Sequence, residues 1–88
     1  MSSKHLIVRG TVQGVFFRSS AAETAGDLGV TGWVRNREDG SVEMVVEGAD
    51  DAVDRMVDWA GRGPEQAEVS DVEITDRDPE GLDGFRQV

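Results

Sequence analysis

The spacing of apolar residues switches along the chain between the period of a strand and the period of a helix, and the order of these switches most restricts the fold. Residues 5–12 are rich in β-forming side chains and predict a strand. After a connection over residues 13–18, a helix is predicted from a cap at Ser19 or Ser20 to Leu28. The chain therefore starts with a strand followed by a helix.

Two further strands are predicted next, over residues 30–37 and 42–47. The residues between them include Asp39-Gly40, which favours a tight hairpin. In the second of these strands Val42, Met44 and Val46 alternate with acidic residues, which is typical of a strand with one buried face. We therefore expect an antiparallel hairpin with its acidic side chains on the exposed face.

A second helix is predicted to begin at a cap formed by Asp50 or Asp51, because its apolar residues follow helical spacing: Val53, Met56, Val57 and Ala60. A fourth strand is predicted over residues 67–75, with a bulge where its alternation slips between Val69 and Val72. Residues 85–88 could add a short last strand.

The order β-α-β-β-α-β is that of the ferredoxin-like split βαβ sandwich, an α+β fold in which two helices cover one face of an antiparallel sheet. We expect residues 1–88 to form one such domain, because the chain contains no repeat, linker or low-complexity segment. This fold serves enzymes and binding modules alike, so function has to be argued from particular residues.

Composition excludes several kinds of site. The chain has no Cys, so disulfides, thiol nucleophiles and Cys-ligated metals are absent, and its one His (His5) makes other metal sites poor candidates. We expect no metal and no cofactor. No apolar run approaches the roughly 18 residues that cross a membrane.

The charge is unevenly distributed. Net charge is −9, but residues 1–37 hold five basic and two acidic side chains, whereas residues 38–88 hold four basic and sixteen acidic ones. This balance disfavours nucleic acid and anionic membranes and favours a small anion bound in the first part of the chain. A surplus of acids with a single Lys (Lys4) also fits adaptation to high salt, although an ordinary acidic surface is the alternative.

The connection over residues 13–18 is the first candidate site. Backbone N–H groups converge in such a strand–turn–helix connection and bind anions, Gly14 permits close approach of an oxygen, and Arg18 matches a phosphate group. Read in isolation, the segment could equally be a turn followed by a surface arginine. Phe16 and Phe17 could be core aromatics or a wall beside a ligand. Asn36 could form the hairpin turn or hold a water molecule.

The segment Gly10–Arg18 resembles the acylphosphatase signature G-x-V-Q-G-V-x-F-R, and residues 32–43 resemble the second motif of that family, G-W-V-x-N-x-x-D-G-x-V-E. Residues 63–69 are similar to a third stretch, G-P-x-x-A-x-V. The resemblance covers about residues 5–88 and favours the functional interpretation of Arg18 and Asn36.

The resemblance implies hydrolysis of acyl phosphates, with Arg18 binding the phosphate and Asn36 positioning the attacking water. It also implies that the phosphate contacts loop amides, here those of Gln13, Gly14, Val15, Phe16, Phe17 and Arg18. The expected partners are a small-molecule acyl phosphate and inorganic phosphate as product and inhibitor. We expect a cytoplasmic monomer with no nucleic-acid or membrane partner.

Three alternatives stay open at this point. The first is a catalytically silent module of the same fold that binds phosphate or an acyl phosphate. The second is an RNA-binding sheet, which the net charge and the lack of Tyr disfavour. The third is the carbamoyl-phosphate-processing domain of a larger maturation enzyme; a chain of this length without zinc-binding Cys leads us to expect the free-standing form instead.

Overall fold

The computed structural model describes residues 1–88 and has five strands and two helices. Their order is β1 (Ser2–Thr11), α1 (Phe17–Leu28), β2 (Thr31–Asn36), β3 (Val42–Gly48), α2 (Asp50–Arg62), β4 (Glu68–Arg77) and β5 (Phe85–Gln87). The predicted order is confirmed. The predicted ends differ by a few residues, mostly because β1 and β4 pair with each other beyond the apolar stretches that predicted them.

The strands form one sheet in the spatial order β4-β1-β3-β2-β5. β1 lies antiparallel to β3 and β4, and β2 lies antiparallel to β3. The predicted antiparallel sheet is confirmed for β1 to β4. The sequence left the pairing of residues 85–88 open, and β5 runs parallel to β2. The reason is the last connection, because residues 78–84 lead the chain from the β4 edge to the opposite edge, where β5 arrives pointing along β2.

Both helices pack against one face of the sheet, as predicted. The buried side chains of this layer come from inward positions of the strands, from one stripe on each helix and from two valines that adjoin β1 and β2: Leu6, Val8, Val12, Phe17, Ala21, Ala25, Val30, Val34, Val42, Met44, Val46, Val53, Met56 and Ala60. The apolar stripes of the sequence therefore become a single core between helices and sheet. Neither helix is long and apolar enough to cross a membrane.

The predicted bulge in β4 is confirmed. Arg9 pairs with Asp71 whereas Gly10 pairs with Val69, so Ser70 is the extra residue on β4. This extra residue accounts for the slip in apolar alternation, since it lets both Val69 and Val72 pack against the core.

A close approach between β2 and β3 explains one motif glycine. Gly32 has φ 142°, and a Cβ at this position would lie 1.8 Å from the carbonyl oxygen of Val45. Any larger residue would push the two strands apart. Gly32 thus holds β2, and with it Asn36 at its end, in register on β3.

Glu47 departs from its expected exposure. It lies on the sheet face away from the helices, as the alternation of β3 predicts, but only 1% of it is exposed. Its carboxylate accepts hydrogen bonds from the backbone N–H groups of Glu80 (2.9 Å), Gly81 (2.7 Å) and Leu82 (3.1 Å). A buried carboxylate needs such donors. Glu47 therefore anchors the connection that carries the chain to β5.

Candidate active site

The connection between β1 and α1 turns sharply because two of its residues adopt the left-handed region. Gly14 has φ 75°, and Phe16 has φ 65° and is the only residue other than glycine with positive φ. α1 therefore begins at Phe17, and no side chain caps it. The predicted cap at Ser19 or Ser20 is wrong, because both residues lie inside the helix. The Ser20 N–H donates to the carbonyl oxygen of Phe16 at 3.0 Å instead.

This start leaves several N–H groups without a partner in the protein. Among the backbone hydrogen bonds outside the helices and strands, none is donated by residues 13–18. Phe17 and Arg18 belong to the first turn of α1, where N–H groups have no acceptor within the helix. A capping side chain would have used one of these donors. The segment thus retains the donors that an anion site needs.

Arg18 and Asn36 line the same cavity, although they lie on α1 and β2. The cavity has a volume of about 300 Å³, and its lining combines the loop, the helix start and two strand ends: Val12, Gly14, Phe16, Phe17, Arg18, Ser19, Asn36 and Gln87. Arg18 is exposed and forms no ion pair or side-chain hydrogen bond in the protein. The Asn36 amide likewise has no hydrogen-bond partner. Both groups are available to a ligand.

Two of the predicted loop residues do not line this cavity. Val15 packs against the core. The side-chain amide of Gln13 donates to the carbonyl oxygens of Arg37 (2.7 Å) and Ser41 (2.9 Å). Gln13 therefore ties the loop to the hairpin turn that directly follows Asn36, and this contact holds the two halves of the site in place relative to each other.

The hairpin turn is itself held by Asp39. Its carboxylate accepts hydrogen bonds from the Ser41 hydroxyl (2.5 Å) and the Ser41 N–H (3.0 Å). These two bonds lower the pKa of Asp39 below its ordinary value, because they favour the ionised carboxylate.

The two adjacent phenylalanines separate into different environments. Phe17 is buried, and its ring lies 5.1 Å from the ring of Trp59 on α2, so it anchors the start of α1 in the core. Phe16 is 68% exposed at the cavity. Phe17 is thus a core aromatic, whereas the ring of Phe16 lines the cavity outside the core.

Ser19 and Gln87 line the cavity without having been predicted as site residues. No local signal in the sequence marks Gln87. It reaches the cavity because β5 pairs with β2, with the N–H of Val88 donating to the carbonyl oxygen of Val34 at 2.9 Å.

A larger depression of about 680 Å³ lies on the sheet face away from the helices, and Trp33, Arg35, Glu43 and Arg86 contribute to its lining. Here Glu43 pairs with His5 (2.6 Å) and Arg35 (2.5 Å). Partial burial works to raise the pKa of Glu43, but these two hydrogen bonds outweigh it and hold the pKa below its ordinary value. His5 is thus part of a structural hydrogen-bond network outside the predicted site. No group of three or more His, Cys, Asp or Glu side chains is placed to hold a metal ion.

The sequence of this chain is similar to those of known proteins. A sequence profile of the acylphosphatase family matches residues 4–87. An acylphosphatase from Haloquadratum walsbyi is 52% identical over 81 residues, which cover 92% of this chain and 87% of the relative. An acylphosphatase from Haloarcula marismortui is 53% identical, over 92% of this chain and 89% of the relative.

Solved structures agree with the sequence relatives. The crystal structure of acylphosphatase from Bacillus subtilis superposes with a TM-score of 0.96 at 37% identity, covering 100% of this chain and 99% of that one. The match extends over the whole sheet, both helices and the loop that starts α1. The chain therefore is an enzyme of the acylphosphatase family.

Proposed function

We propose that this protein hydrolyses acyl phosphates to a carboxylate and inorganic phosphate, with Arg18 and the amides of residues 13–18 binding the phosphate and Asn36 positioning the attacking water. Membership in the acylphosphatase family supports the reaction. One observation supports the roles proposed for Arg18 and Asn36. Their side chains come from different elements, line one cavity and have no hydrogen-bond partner in the protein. We also propose that residues 1–88 form one domain.

The phosphate group needs donors arranged around its oxygens. A lysine ammonium would attract the phosphate only as a point charge. The planar guanidinium of Arg18 can in addition donate two parallel hydrogen bonds to one phosphate face. The amides of the loop add donors that need not reorganise during the reaction, because Gln13 and the helix start fix the loop. Together these groups offset the negative charge of a chain that is otherwise strongly acidic.

The water needs a different kind of group. The carbonyl oxygen of the Asn36 amide can accept a hydrogen bond from water and so hold the water oxygen toward phosphorus. In the proposed step the water oxygen forms a bond to phosphorus while the bond from phosphorus to the acyl oxygen breaks. The bonding electron pair leaves with the carboxylate, and the water proton ends on phosphate or in solvent.

The leaving group explains why so few side chains suffice. A carboxylate is the conjugate base of an acid with pKa about 4, so it departs at pH 7 without a proton donor. The phosphoryl transition state is loose, which makes positioning and charge stabilisation the main contributions to the rate. A general acid such as histidine is not required, and the cavity contains none.

The direct test is hydrolysis of benzoyl phosphate by the purified protein in EDTA and molar KCl. We expect rapid turnover that EDTA leaves unchanged and inorganic phosphate inhibits competitively. Phenyl phosphate is the matched control, because its phenolate leaving group has a conjugate acid of pKa about 10 and should not be released without a general acid. Absence of turnover in a protein that circular dichroism finds folded would contradict the proposal, and loss of activity in EDTA would contradict its metal independence.

We also propose that the acidic surface is an adaptation to high salt. Sixteen acidic side chains in residues 38–88 repel one another at low ionic strength, and salt screens this repulsion. The thermal unfolding midpoint should therefore rise between low and molar KCl. Sucrose at equal osmolality is the control for stabilisation by exclusion from the protein surface, which does not screen charge, so the midpoint should rise more in KCl than in sucrose. An unchanged midpoint in KCl would point to an ordinary acidic surface.

The same charge bears on partners and location. A net charge of −9 disfavours nucleic acid and anionic membranes as partners, and the cavity suits one small phosphate compound. We propose a cytoplasmic monomer with inorganic phosphate as product and inhibitor; the absence of Cys is compatible with a reducing compartment.

A further inference from the structure

Phe16 exposes a large apolar ring to solvent, which does not stabilise the fold. It is 68% exposed, whereas the ring of Phe17 is buried and Phe85, Trp33 and Trp59 are half-buried. The other exposed large apolar residues are Met1 and Val88 at the chain ends and Ile74 on the edge strand β4. Phe16 is the one exposed aromatic, and it lies at the cavity that holds Arg18 and Asn36.

The backbone conformation of Phe16 is also unusual for a residue with a side chain. Phe16 has φ 65° and ψ 23°, a left-handed conformation that a residue with a Cβ adopts at a cost and that glycine adopts without one. Its carbonyl oxygen accepts hydrogen bonds from the Ser20 N–H (3.0 Å) and the Ser19 hydroxyl (3.2 Å), which hold the strained residue in place. Strain of this kind persists where the surroundings enforce it and is typical of functional sites.

The position of the substrate follows from the proposed reaction, on which this inference rests. In-line displacement places the attacking water and the acyl group on opposite sides of phosphorus. Asn36, at the end of β2, occupies the water side in the proposed mechanism. The acyl group therefore extends along a part of the cavity that Asn36 does not form, and among the lining side chains contributed by the loop and the start of α1 Phe16 is the exposed apolar one.

We infer that Phe16 is a substrate-contacting residue that selects acyl phosphates with an uncharged, apolar and preferably aromatic acyl group. An aromatic acyl group can pack against the phenyl ring edge-to-face or offset, whereas an acetyl group presents a single methyl. The lining contains no carboxylate and no cation besides Arg18, which is committed to the phosphate. A charged acyl group would find no partner beside Phe16.

The test compares kcat/KM for benzoyl phosphate and acetyl phosphate in the wild type and in Phe16→Ala. We expect the benzoyl value to fall about fivefold to tenfold through a higher KM, on the scale of one lost aromatic pair, and the acetyl value to stay within about twofold. Inhibition by inorganic phosphate should be unchanged, because the phosphate donors remain. Comparing the ratio of the two substrates across variants cancels their intrinsic reactivity.

Two further variants control for folding. Phe16→Gly also removes the ring but relieves the left-handed strain, so it supplies the same comparison if Phe16→Ala is unstable. Ile74→Ala removes an exposed apolar side chain outside the cavity and should leave the ratio unchanged. An unchanged ratio in both Phe16 variants, or an equal loss for both substrates together with weaker phosphate inhibition, would overturn this inference alone. Failure of the wild type to hydrolyse either substrate would instead overturn the proposed function.

Discussion

Replacing Arg18 with alanine should lower kcat/KM for benzoyl phosphate by at least about 10³-fold, the scale of one lost charged donor to a transition state. The guanidinium has no partner in the protein, so its removal leaves no buried group unpaired and should not destabilise the fold. Inhibition by inorganic phosphate should weaken in parallel, because in the proposed mechanism the same donors bind substrate and product. Steady-state kinetics with phosphate as inhibitor measures both effects.

Arg18→Lys separates charge from geometry. Lysine keeps the positive charge but loses the planar pair of donors, so its activity should lie between those of the wild type and the alanine variant. Arg62→Ala, at the far end of α2, is the matched control for removing an exposed arginine and should keep wild-type kinetics. Activity of Arg18→Ala within tenfold of the wild type would exclude the proposed role of Arg18.

Replacing Asn36 with alanine should lower kcat by about 10²-fold or more while inhibition by inorganic phosphate stays nearly unchanged. The proposed role of the amide is to orient water, and loss of orientation alone costs a factor of this size. The proposed phosphate donors are on residues 13–18 and remain in place. The split between a large loss of kcat and intact phosphate inhibition is what distinguishes a water-positioning residue from a phosphate-binding one.

Controls for this variant use the same strand. Thr31→Ala, at the other end of β2, removes a side chain that donates to the Glu47 carbonyl oxygen and should leave kcat unchanged, since it lies away from the cavity. Thermal unfolding should give similar midpoints for the wild type and Asn36→Ala. If phosphate inhibition disappeared together with activity, Asn36 would be a binding or folding residue instead.

The fold was predictable to the extent that it depends on local spacing. The apolar stripe of Val53, Met56 and Ala60 marks one helix face, and the alternation of Val42, Met44 and Val46 marks one strand face; both faces are buried as expected. Even the bulge at Ser70 left a trace in the sequence, because inserting one residue shifts the apolar phase of a strand.

The predicted helix starts were wrong because they depend on more than local spacing. Serine and aspartate favour capping positions on average, but α1 begins at Phe17 without a side-chain cap, and α2 follows Ala49 with Asp50 and Asp51 in its first turn. In α1 the left-handed residue before the helix sets the start. The left-handed conformation of Phe16 turns the chain from β1 so that Phe17 enters the core. It therefore depends on how the whole loop connects β1 to α1, and no single capping residue predicts it.

The sequence by itself determined the elements, their order and the faces that become buried, and motif resemblance predicted roles for Arg18 and Asn36. All of these depend on residues within a few positions of one another, where periodicity and motifs act. Tertiary structure alone decided that Gln87 reaches the cavity, that Gln13 ties the loop to the hairpin, and that the carboxylate of Glu47 is buried. These contacts join residues far apart in the chain, so they arise only when the sheet closes and distant backbone donors and acceptors meet.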